Sequence, residues 1–359
     1  MTITAQTPVR VATALSEDDH EHIVVRQDPR TGLRFIVAVH STVLGPALGG
    51  MRLKRYPGGL SEALEDVMGL ARTMTLKASA AGLHLGGGKA VLIDDGRGDM
   101  RHARLAGAAH VIDELGGAYI TAEDIGTSTA DMDHMARFTR YCVGRSVGNG
   151  GGGDPSPVTA ATVFEATRRG LDAHDGSADL EDRRIGIIGV GKVGGALAGM
   201  FVRAGARVVA FDVEPARCER LAAEHGAVEA APSIEAVLST ELDVLAPCAA
   251  GGLIDDSIAR ALTVRVMAGA ANNPLVGRGV ARTLMKRDIL YVPDFLANCG
   301  GLIHVAAEWH RGRGPSEEEL IAGAMNSLDR AITTAQHEGR TPLEVAERQA
   351  LERVEAARR

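Results

Sequence analysis

The stretch RIGIIGVGKVG, residues 184–194, decides the fold of the second half of the chain. Its first five residues form an apolar run typical of a buried strand, and the rest follow the pattern GxGxxG. An amphipathic segment from 196 to 204 comes next, and then a second apolar run, RVVAFD, which ends in Asp212. This order of strand, glycine turn, helix, strand and acid predicts a dinucleotide-binding unit.

Each part of this unit has a physical task in holding a dinucleotide. Gly189, Gly191 and Gly194 allow a tight turn and admit the pyrophosphate, whose charge faces the start of the following helix. Asp212 would accept a hydrogen bond from the adenosine ribose. Because an acid at this position repels a 2′-phosphate, the sequence favours NAD over NADP, with Arg217 as the nearby basic residue that argues the other way.

Three further strand-like runs extend the predicted sheet, at residues 243–249, 264–270 and 289–294. Successive parallel strands of this kind make a doubly wound sheet, and its ligand lies at the carboxyl ends of the strands. The polar segments 271–273 and 298–301 follow two of these ends.

The segment GNGGGGDPSP, residues 148–157, is the strongest domain boundary in the sequence. Such a segment resists regular structure and can act as a hinge. We therefore expect a two-domain α/β protein, with an N-terminal α/β substrate domain over 1–148 and a Rossmann domain over 149–334, separated by a cleft. Ser156 and Pro157 suit the N-cap and first position of the helix that follows the hinge.

In the first half, the runs HIVVRQ and LRFIVAVH flank DPRTG between residues 22 and 40, which predicts a β-hairpin. A helix with Ser61 as its N-cap is expected to continue to about residue 80, because apolar residues recur at three- and four-residue spacing. The glycine-bearing loop GPALGGMR, residues 45–52, connects the two elements.

The stretch MTLKASAAGLHLGGGK, residues 74–89, places Lys77 and Lys89 on either side of a turn. Lys77 falls in the last turn of the predicted helix. Glycines 86–88 predict a loop whose backbone comes close to something small. Lys89 begins a buried strand at 89–93, where an ammonium is costly to desolvate without a partner or a task. These residues alone leave open an ordinary glycine loop with two solvated lysines.

The acids Glu123 and Asp124 follow a short predicted strand at 118–121. The carboxyl ends of strands are where α/β proteins keep their chemistry. A solvated turn is the alternative reading for any single acid at such a position.

Composition excludes several classes of function. The 359 residues carry a formal charge of -7, without the basic stripe and interleaved aromatics that nucleic-acid binding requires. The four cysteines are scattered without the spacing of a zinc site or a disulfide framework, so we expect no metal and a reducing, cytoplasmic environment. No membrane-spanning or signal segment is evident, so no membrane partner is expected.

Nine segments of the chain together resemble the glutamate/leucine/phenylalanine/valine dehydrogenase family, most closely its shorter bacterial members. In sequence order they are GPALGGMR, MTLK, GLHLGGGKAV, YITAEDIGT, ADMD, GVGKVG, APCA, GAANN and PDFLANCGG. The resemblance implies reversible NAD-dependent oxidative deamination of an apolar L-amino acid to its 2-oxo acid and ammonia. It also implies a homo-oligomer, and C-terminal helices at about 335–359 that pack back on the first domain.

By this resemblance Lys77 would hold the substrate α-carboxylate, Lys89 would be the general base that activates water, and Asp124 would carry protons to and from the amine. A lysine can serve as a base near neutral pH only where its ammonium is destabilised, which a second lysine and the exclusion of water would achieve. Closure of the two domains would bring the nicotinamide to the α-carbon in a dry site.

The resemblance extends to the cofactor site. Thr159 would contact the nicotinamide carboxamide, and Asn272 the substrate amino group or the nicotinamide ribose. The family segment reads TAxGV where this chain has TAATV, so Thr162 replaces a glycine and leaves the packing near the nicotinamide open. The full implied cofactor set is Thr159, Gly189, Gly191, Lys192, Val193, Gly194, Asp212, Cys248, Ala249, Asn272 and Asn298.

The implied substrate pocket is apolar. It comprises Leu48, Gly50, Ala122, Leu302 and Val305, and no second basic residue is evident for a side-chain carboxylate. Ala122 stands where phenylalanine enzymes tend to have glycine, which favours leucine, valine or isoleucine, whereas Leu302 is more like the phenylalanine enzymes. Because one methyl group decides roughly 1–3 kcal/mol, we expect a preference rather than strict exclusion.

Two alternatives remain open. One keeps the chemistry but prefers phenylalanine or another aromatic amino acid. The other is an NAD-binding regulatory protein whose catalytic site has decayed, against which the presence of Lys77, Lys89 and Asp124 argues.

Overall fold

The structure is a computed structural model that describes residues 20–96 and 98–359. The chain divides into two compact units. Of the described residues, unit 1 comprises those up to residue 75 and those between 85 and 150, and unit 2 comprises residues 76–84 and 151–359. The expected boundary at 148/149 is close to the 150/151 division, but residues 76–84 group with the second half of the chain.

Unit 1 contains a five-stranded mixed sheet in the order β1-β2-β4-β3-β5. The β1 and β2 strands form the predicted antiparallel hairpin, while β3 lies parallel to both β4 and β5. The strands are β1 His22–Asp28, β2 Leu33–Ser41, β3 Ala47–Lys54, β4 Gly86–Ile93 and β5 Tyr119–Glu123.

Three helices accompany this sheet: α1 Gly59–Ala80, α2 Arg101–Glu114 and α3 Thr129–Met135. The predicted apolar stripe of α1 is confirmed, since Leu64, Val67 and Ala71 are buried in one cluster with Ile36 and Val91 of the sheet. Each fully buried aliphatic side chain of this kind contributes about 1.5–3 kcal/mol through the hydrophobic effect. The last residues of α1 belong to unit 2.

The start of α1 differs from the prediction. Ser61 lies inside the helix, which begins at Gly59. The carboxylate of Glu62 accepts a hydrogen bond from the backbone N–H of Gly58 at 2.7 Å, so this side chain satisfies a donor at the helix start.

The triple glycine is the second difference, because it forms the first part of β4 rather than a loop. A Cβ on Gly86 would overlap the Ser41 carbonyl, and a Cβ on Gly87 would overlap the backbone of Thr75 in α1. The glycines therefore let the strand approach other parts of the protein closely. Sequence reasoning recognised the close approach but not the partner.

Unit 2 contains a six-stranded sheet in the order β11-β10-β9-β6-β7-β8, and all its pairings are parallel. This confirms the doubly wound Rossmann sheet and the two-domain α/β fold class. The strands are β6 Arg184–Ile188, β7 Arg207–Phe211, β8 Val228–Ala230, β9 Val244–Pro247, β10 Val266–Met267 and β11 Leu290–Tyr291.

The helices of unit 2 include the predicted helix after the hinge and the helix after the glycine turn. They are α4 Ser156–Asp175, α5 Lys192–Arg203, α6 Pro215–Glu224, α7 Ile234–Leu238, α8 Asp256–Ala261, α9 Arg278–Lys286, α10 Asp294–Ala297, α11 Gly300–His310, α12 Glu317–Glu338 and α13 Pro342–Arg358. Ser156 is the first residue of α4 rather than its N-cap, and its N–H and hydroxyl both donate to the Asp154 carboxylate. Within the described ranges, no helix combines the length and the apolarity needed to cross a membrane.

The C-terminal helix α13 contacts the short segment 76–84 within unit 2. The Ser79 hydroxyl donates to the Ala350 carbonyl at 2.7 Å, and the Arg353 guanidinium donates to the carbonyls of Ser79, Gly82 and Leu83. The end of α1, which carries Lys77, is thereby tied to the C-terminus of the chain.

We predict that Gly87→Ala destabilises the protein by about 2 kcal/mol or more, because the added methyl group overlaps the α1 backbone. Gly69→Ala is the matched control, since Gly69 is an exposed position inside α1 with open space around it. That control should be neutral or stabilise by about 0.5–1 kcal/mol. Urea unfolding of both variants measures the difference, and equal stabilities would contradict the packing argument.

Candidate functional site

The catalytic candidates of unit 1, Lys89 and Asp124, form an ion pair. Lys89 projects from β4, Asp124 follows the last residue of β5, and the ammonium nitrogen lies 3.0 Å from Asp124 Oδ2. The side chains are only 8% and 21% exposed, so both charges are largely removed from water. A buried ion pair of this kind is costly to form unless further polar contacts complete it.

Arg52 and Asp66 complete the pair and were missed by sequence reasoning. Arg52 Nε donates to the same Asp124 Oδ2 at 3.0 Å, and Arg52 NH1 donates to Asp66 Oδ2 at 3.1 Å. The Tyr56 hydroxyl donates to that Asp66 oxygen at 2.6 Å. The sequence could have identified Arg52 as a site residue, because it stands in the family-like segment GPALGGMR. Asp66 is one polar residue of a helix, and no sequence feature identified it.

The pKa of the Asp124 carboxyl reflects two opposing effects. Burial raises this pKa, but the ammonium of Lys89 and then the guanidinium of Arg52 outweigh burial and hold it below its usual range. Asp124 is therefore a carboxylate at neutral and alkaline pH. It can accept a proton there.

The pocket candidates of unit 1 lie beside this network on paired strands. Gly50 of β3 and Ala122 of β5 are register partners, and Leu48 lies two residues earlier on β3. A Cβ on Gly50 would lie 2.6 Å from the Glu123 carbonyl oxygen and 2.8 Å from Asp124 Cβ. Glycine at this position thus allows the end of β5, with Asp124, to lie closely against β3. Leu48 and Ala122 are buried.

The glycine turn of unit 2 has the geometry expected of a dinucleotide site. Gly189 adopts φ +96 and packs against Ala249, while a Cβ on Gly194 would overlap the Gly189 carbonyl and come within 3.2 Å of Cys248 Cβ. Gly191 is different, because its nearest neighbour would be Arg217 at 3.9 Å. The first and third glycines serve packing, and the second leaves space where a pyrophosphate can approach.

Asp212 lies at the end of β7 beside this turn. Its Oδ2 accepts a hydrogen bond from Val190 N–H at 2.8 Å, and its Oδ1 accepts one from Glu214 N–H at 2.9 Å. Arg217 lies 3.6 Å from Asp212 Oδ1 and 2.8 Å from a Glu214 carboxylate oxygen. The guanidinium is thus already paired with two acids.

Lys192 and Val193 begin helix α5 directly after the glycine turn. The side chain of Lys192 is 73% exposed and lies 3.2 Å from an Asp154 carboxylate oxygen of the hinge segment. An exposed ammonium at a helix N-terminus can reach a pyrophosphate.

Lys77, Asn298 and Asn272 are brought together within unit 2. The Lys77 ammonium donates to Asn298 Oδ1 at 2.6 Å, and Asn298 Nδ2 donates to Asn272 Oδ1 at 3.0 Å. Asn298 Nδ2 also donates to the Ala270 carbonyl at 3.1 Å. The Asn298 amide orients the ammonium of Lys77. A ligand could therefore bind to the Lys77 ammonium and to the Asn272 amide.

Asp294 supports the Asn272 loop and was not singled out from the sequence. Its Oδ2 accepts a hydrogen bond from Asn273 N–H at 2.8 Å, and its Oδ1 accepts one from the Tyr291 hydroxyl at 2.9 Å. Asn273 has a left-handed backbone with φ +49, a conformation that needs such support. The sequence could have identified Asp294 as a site residue, because it stands in the family-like segment PDFLANCGG.

Thr162, the departure from the family pattern, joins α4 to α11. Its buried hydroxyl donates to the Thr159 carbonyl at 2.9 Å and accepts a hydrogen bond from Gly300 N–H at 3.2 Å. The Thr159 hydroxyl donates to the Pro155 carbonyl at 3.0 Å. Thr162 therefore fixes the start of α11, whose next turns carry the buried pocket candidates Leu302 and Val305.

Comparison with protein families gives two matches that together span most of the chain. Residues 20–141 match the Glu/Leu/Phe/Val dehydrogenase dimerisation domain, and residues 150–359 match the glutamate/leucine/phenylalanine/valine dehydrogenase domain. Among characterised proteins, a valine dehydrogenase of Streptomyces virginiae is 42% identical over 94% of this chain and 95% of its own length. A leucine dehydrogenase of Bacillus subtilis is 38% identical over 95% and 93% respectively.

A solved structure has the same two-domain α/β fold. The L-tryptophan dehydrogenase of Nostoc punctiforme superposes with a TM-score of 0.79 at 29% identity, covering 95% of this chain and 97% of that one.

We predict that Thr162→Val destabilises the protein by about 1–3 kcal/mol, because it leaves the buried Gly300 N–H without an acceptor while preserving volume. Thr162→Ser keeps the hydroxyl and should lose much less. Thermal unfolding of the two variants makes the comparison. A larger loss for serine than for valine would show that packing, not the hydrogen bond, is the contribution of Thr162.

Proposed function

Because the chain belongs to the glutamate/leucine/phenylalanine/valine dehydrogenase family, we propose that it oxidatively deaminates branched-chain L-amino acids with NAD, in a reversible reaction that yields the 2-oxo acid and ammonia. It is an amino acid dehydrogenase, an oxidoreductase acting on apolar amino acids. The observation that carries the residue assignment is the buried pair of Lys89 and Asp124.

Lys89 is the proposed general base. Oxidation at the α-carbon turns the substrate amine into an iminium, and a water molecule must then lose a proton as it attacks that carbon. A lysine can take this proton when its surroundings disfavour its charged form. Lys89 is buried on β4, where the Asp124 carboxylate and the Arg52 guanidinium act on its charge with opposite signs.

Asp124 is the proposed proton carrier for the amine. The substrate ammonium must lose a proton before hydride can leave the α-carbon, and the leaving ammonia must gain one later. The Asp124 carboxyl is anionic at working pH, so it has an oxygen available for the first proton, and its depressed pKa makes it a weak base that passes this proton on. Its shared hydrogen bonds with Arg52 and Lys89 hold it in place.

Lys77 is the proposed binding group for the substrate α-carboxylate. Its ammonium is oriented by Asn298, and Asn298 is in turn held by Ala270 and Asn272. A charge-assisted contact to a carboxylate gives orientation as well as affinity.

The glycine turn fits NAD. NAD, when bound, supplies the acceptor for the hydride that leaves the α-carbon. Gly191 leaves room for the pyrophosphate, and Asp212, at the end of β7 beside the glycine turn, would accept a hydrogen bond from the ribose. The charge of Arg217 is offset by Asp212 and Glu214, with which it is paired, and this supports NAD over NADP.

The apolar pocket candidates, taken in each unit separately, support a branched aliphatic side chain. Leu48 and Ala122 are buried beside the catalytic network, and Leu302 and Val305 are buried on α11. Ala122 occupies volume that a glycine would leave to an aromatic ring, so leucine, valine and isoleucine are favoured over phenylalanine. A homo-oligomer in the cytoplasm completes the proposal. The match to a dimerisation domain supports the oligomer, and the four cysteines, which form no disulfide in the described part of the chain, support a reducing compartment.

We predict that Lys89→Met lowers the rate of deamination by about 10²–10⁴-fold or more, because the reaction loses its base. NAD binding, followed by protein fluorescence, should be retained. Lys286→Met, an exposed lysine at the end of α9, is the control and should keep full activity. Near-normal turnover by Lys89→Met would remove the assignment, and an inactive parent protein that binds NAD would favour the decayed-site alternative.

We predict that a rate panel over L-amino acids gives the highest kcat/KM for leucine, valine or isoleucine, with NAD preferred over NADP by about tenfold or more. The ratio of kcat/KM values for leucine and phenylalanine measures the pocket. A ratio in favour of phenylalanine would support the aromatic alternative and would reject the role given to Ala122.

A further inference from the structure

The charges around Lys89 alternate in sign along a single chain of contacts in unit 1. The Lys89 ammonium contacts Asp124, Asp124 contacts Arg52, and Arg52 contacts Asp66. These four side chains are 8%, 21%, 14% and 26% exposed in that order. Because water screens them little, each charge acts strongly on its neighbours.

Asp124 Oδ2 is shared by two cations. Arg52 Nε and Lys89 Nζ both lie 3.0 Å from this single oxygen, so the two nitrogens are at most 6.0 Å apart. The carboxylate attracts the Lys89 ammonium and stabilises it, while the Arg52 guanidinium repels it. A carboxylate paired with Lys89 alone would favour the protonated lysine and so oppose its use as a base.

We propose that Arg52 is a positioning residue that makes the Lys89 base usable, by sharing the Asp124 carboxylate and repelling the Lys89 ammonium. This inference rests on the proposed function, because it assumes that Lys89 acts as the base. Asp66 moderates the effect from the far side, since its carboxylate partly neutralises Arg52.

The other polar groups that face this chain do not alter the sign of the effect. The Tyr56 hydroxyl donates to Asp66, and burial together with that carboxylate raises the pKa of Tyr56. The Tyr119 hydroxyl donates to the Gly49 carbonyl, and burial raises its pKa as well. Both phenols stay neutral over the working range. The Lys54 ammonium lies over the Tyr56 ring, 5.0 Å from its centre.

The test is the pH profile of kcat/KM for L-leucine deamination in three variants of the full-length protein. Arg52→Gln removes the repelling charge, so the midpoint of the alkaline rise should move up by about one pH unit. Asp66→Asn strengthens the field of Arg52 on Lys89, so its midpoint should move down by a smaller amount. Arg52→Lys keeps the charge but cannot keep both contacts, so its midpoint should lie between those of the parent protein and Arg52→Gln.

The midpoints of Arg52→Gln and Asp66→Asn should move in opposite directions, and this distinguishes the proposed electrostatic role of Arg52 from a merely structural one. A merely structural Arg52 would lower stability and rate at all pH values and leave the midpoint in place in every variant, which would overturn the proposal. If Arg52→Gln does not fold, Asp66→Asn still tests the role of Arg52. A lower midpoint in Asp66→Asn supports that role, and an unchanged or raised midpoint overturns it. Near-normal turnover by Lys89→Met would instead reject the proposed function. An inactive Lys89→Met with unshifted midpoints in the three variants would reject the role of Arg52 alone.

Discussion

The buried ion pair between Lys89 and Asp124 is the interaction on which the unit 1 site depends. Two opposite charges at 3.0 Å with little access to water are stable only when additional hydrogen bonds satisfy their remaining donors and acceptors. Arg52 is the second hydrogen-bond donor to Asp124. Arg52 and Tyr56 in turn both donate hydrogen bonds to Asp66. One buried lysine is thus linked by ion pairs to residues on β3, on α1 and after β5.

Close backbone packing places these charges. Gly50 allows the end of β5 to lie closely against β3, and Gly86 and Gly87 allow β4 to lie against Ser41 and Thr75. In unit 2 the same requirement appears at Gly189 and Gly194, which press the glycine turn against residues 248 and 249. Side chains at these positions would separate the elements that carry the polar groups, so the glycines are a structural condition of the site.

Local signals predicted much of the fold. The strands around the GxGxxG turn, the hairpin and the apolar face of α1 depend on residues that are near in sequence, and all three were confirmed. Element ends were less predictable. Ser61 and Ser156 have the chemistry of N-caps, but α1 begins at Gly59 and α4 begins at Ser156, so both serines lie inside their helices. The glycines at 86–88 have no side chain whose pattern would predict a strand.

The sequence by itself determined the fold class, the dinucleotide turn and the family, since each is written in motifs whose residues act locally or in a set order. Only the tertiary structure decided which groups meet. Arg52 and Asp124 are separated by 72 positions, Thr162 and Gly300 by 138, and Lys77 and Asn298 by 221. Contacts over such separations depend on how strands and helices pack, and no local pattern encodes them. The charge environment of Lys89 is therefore a property of the folded chain.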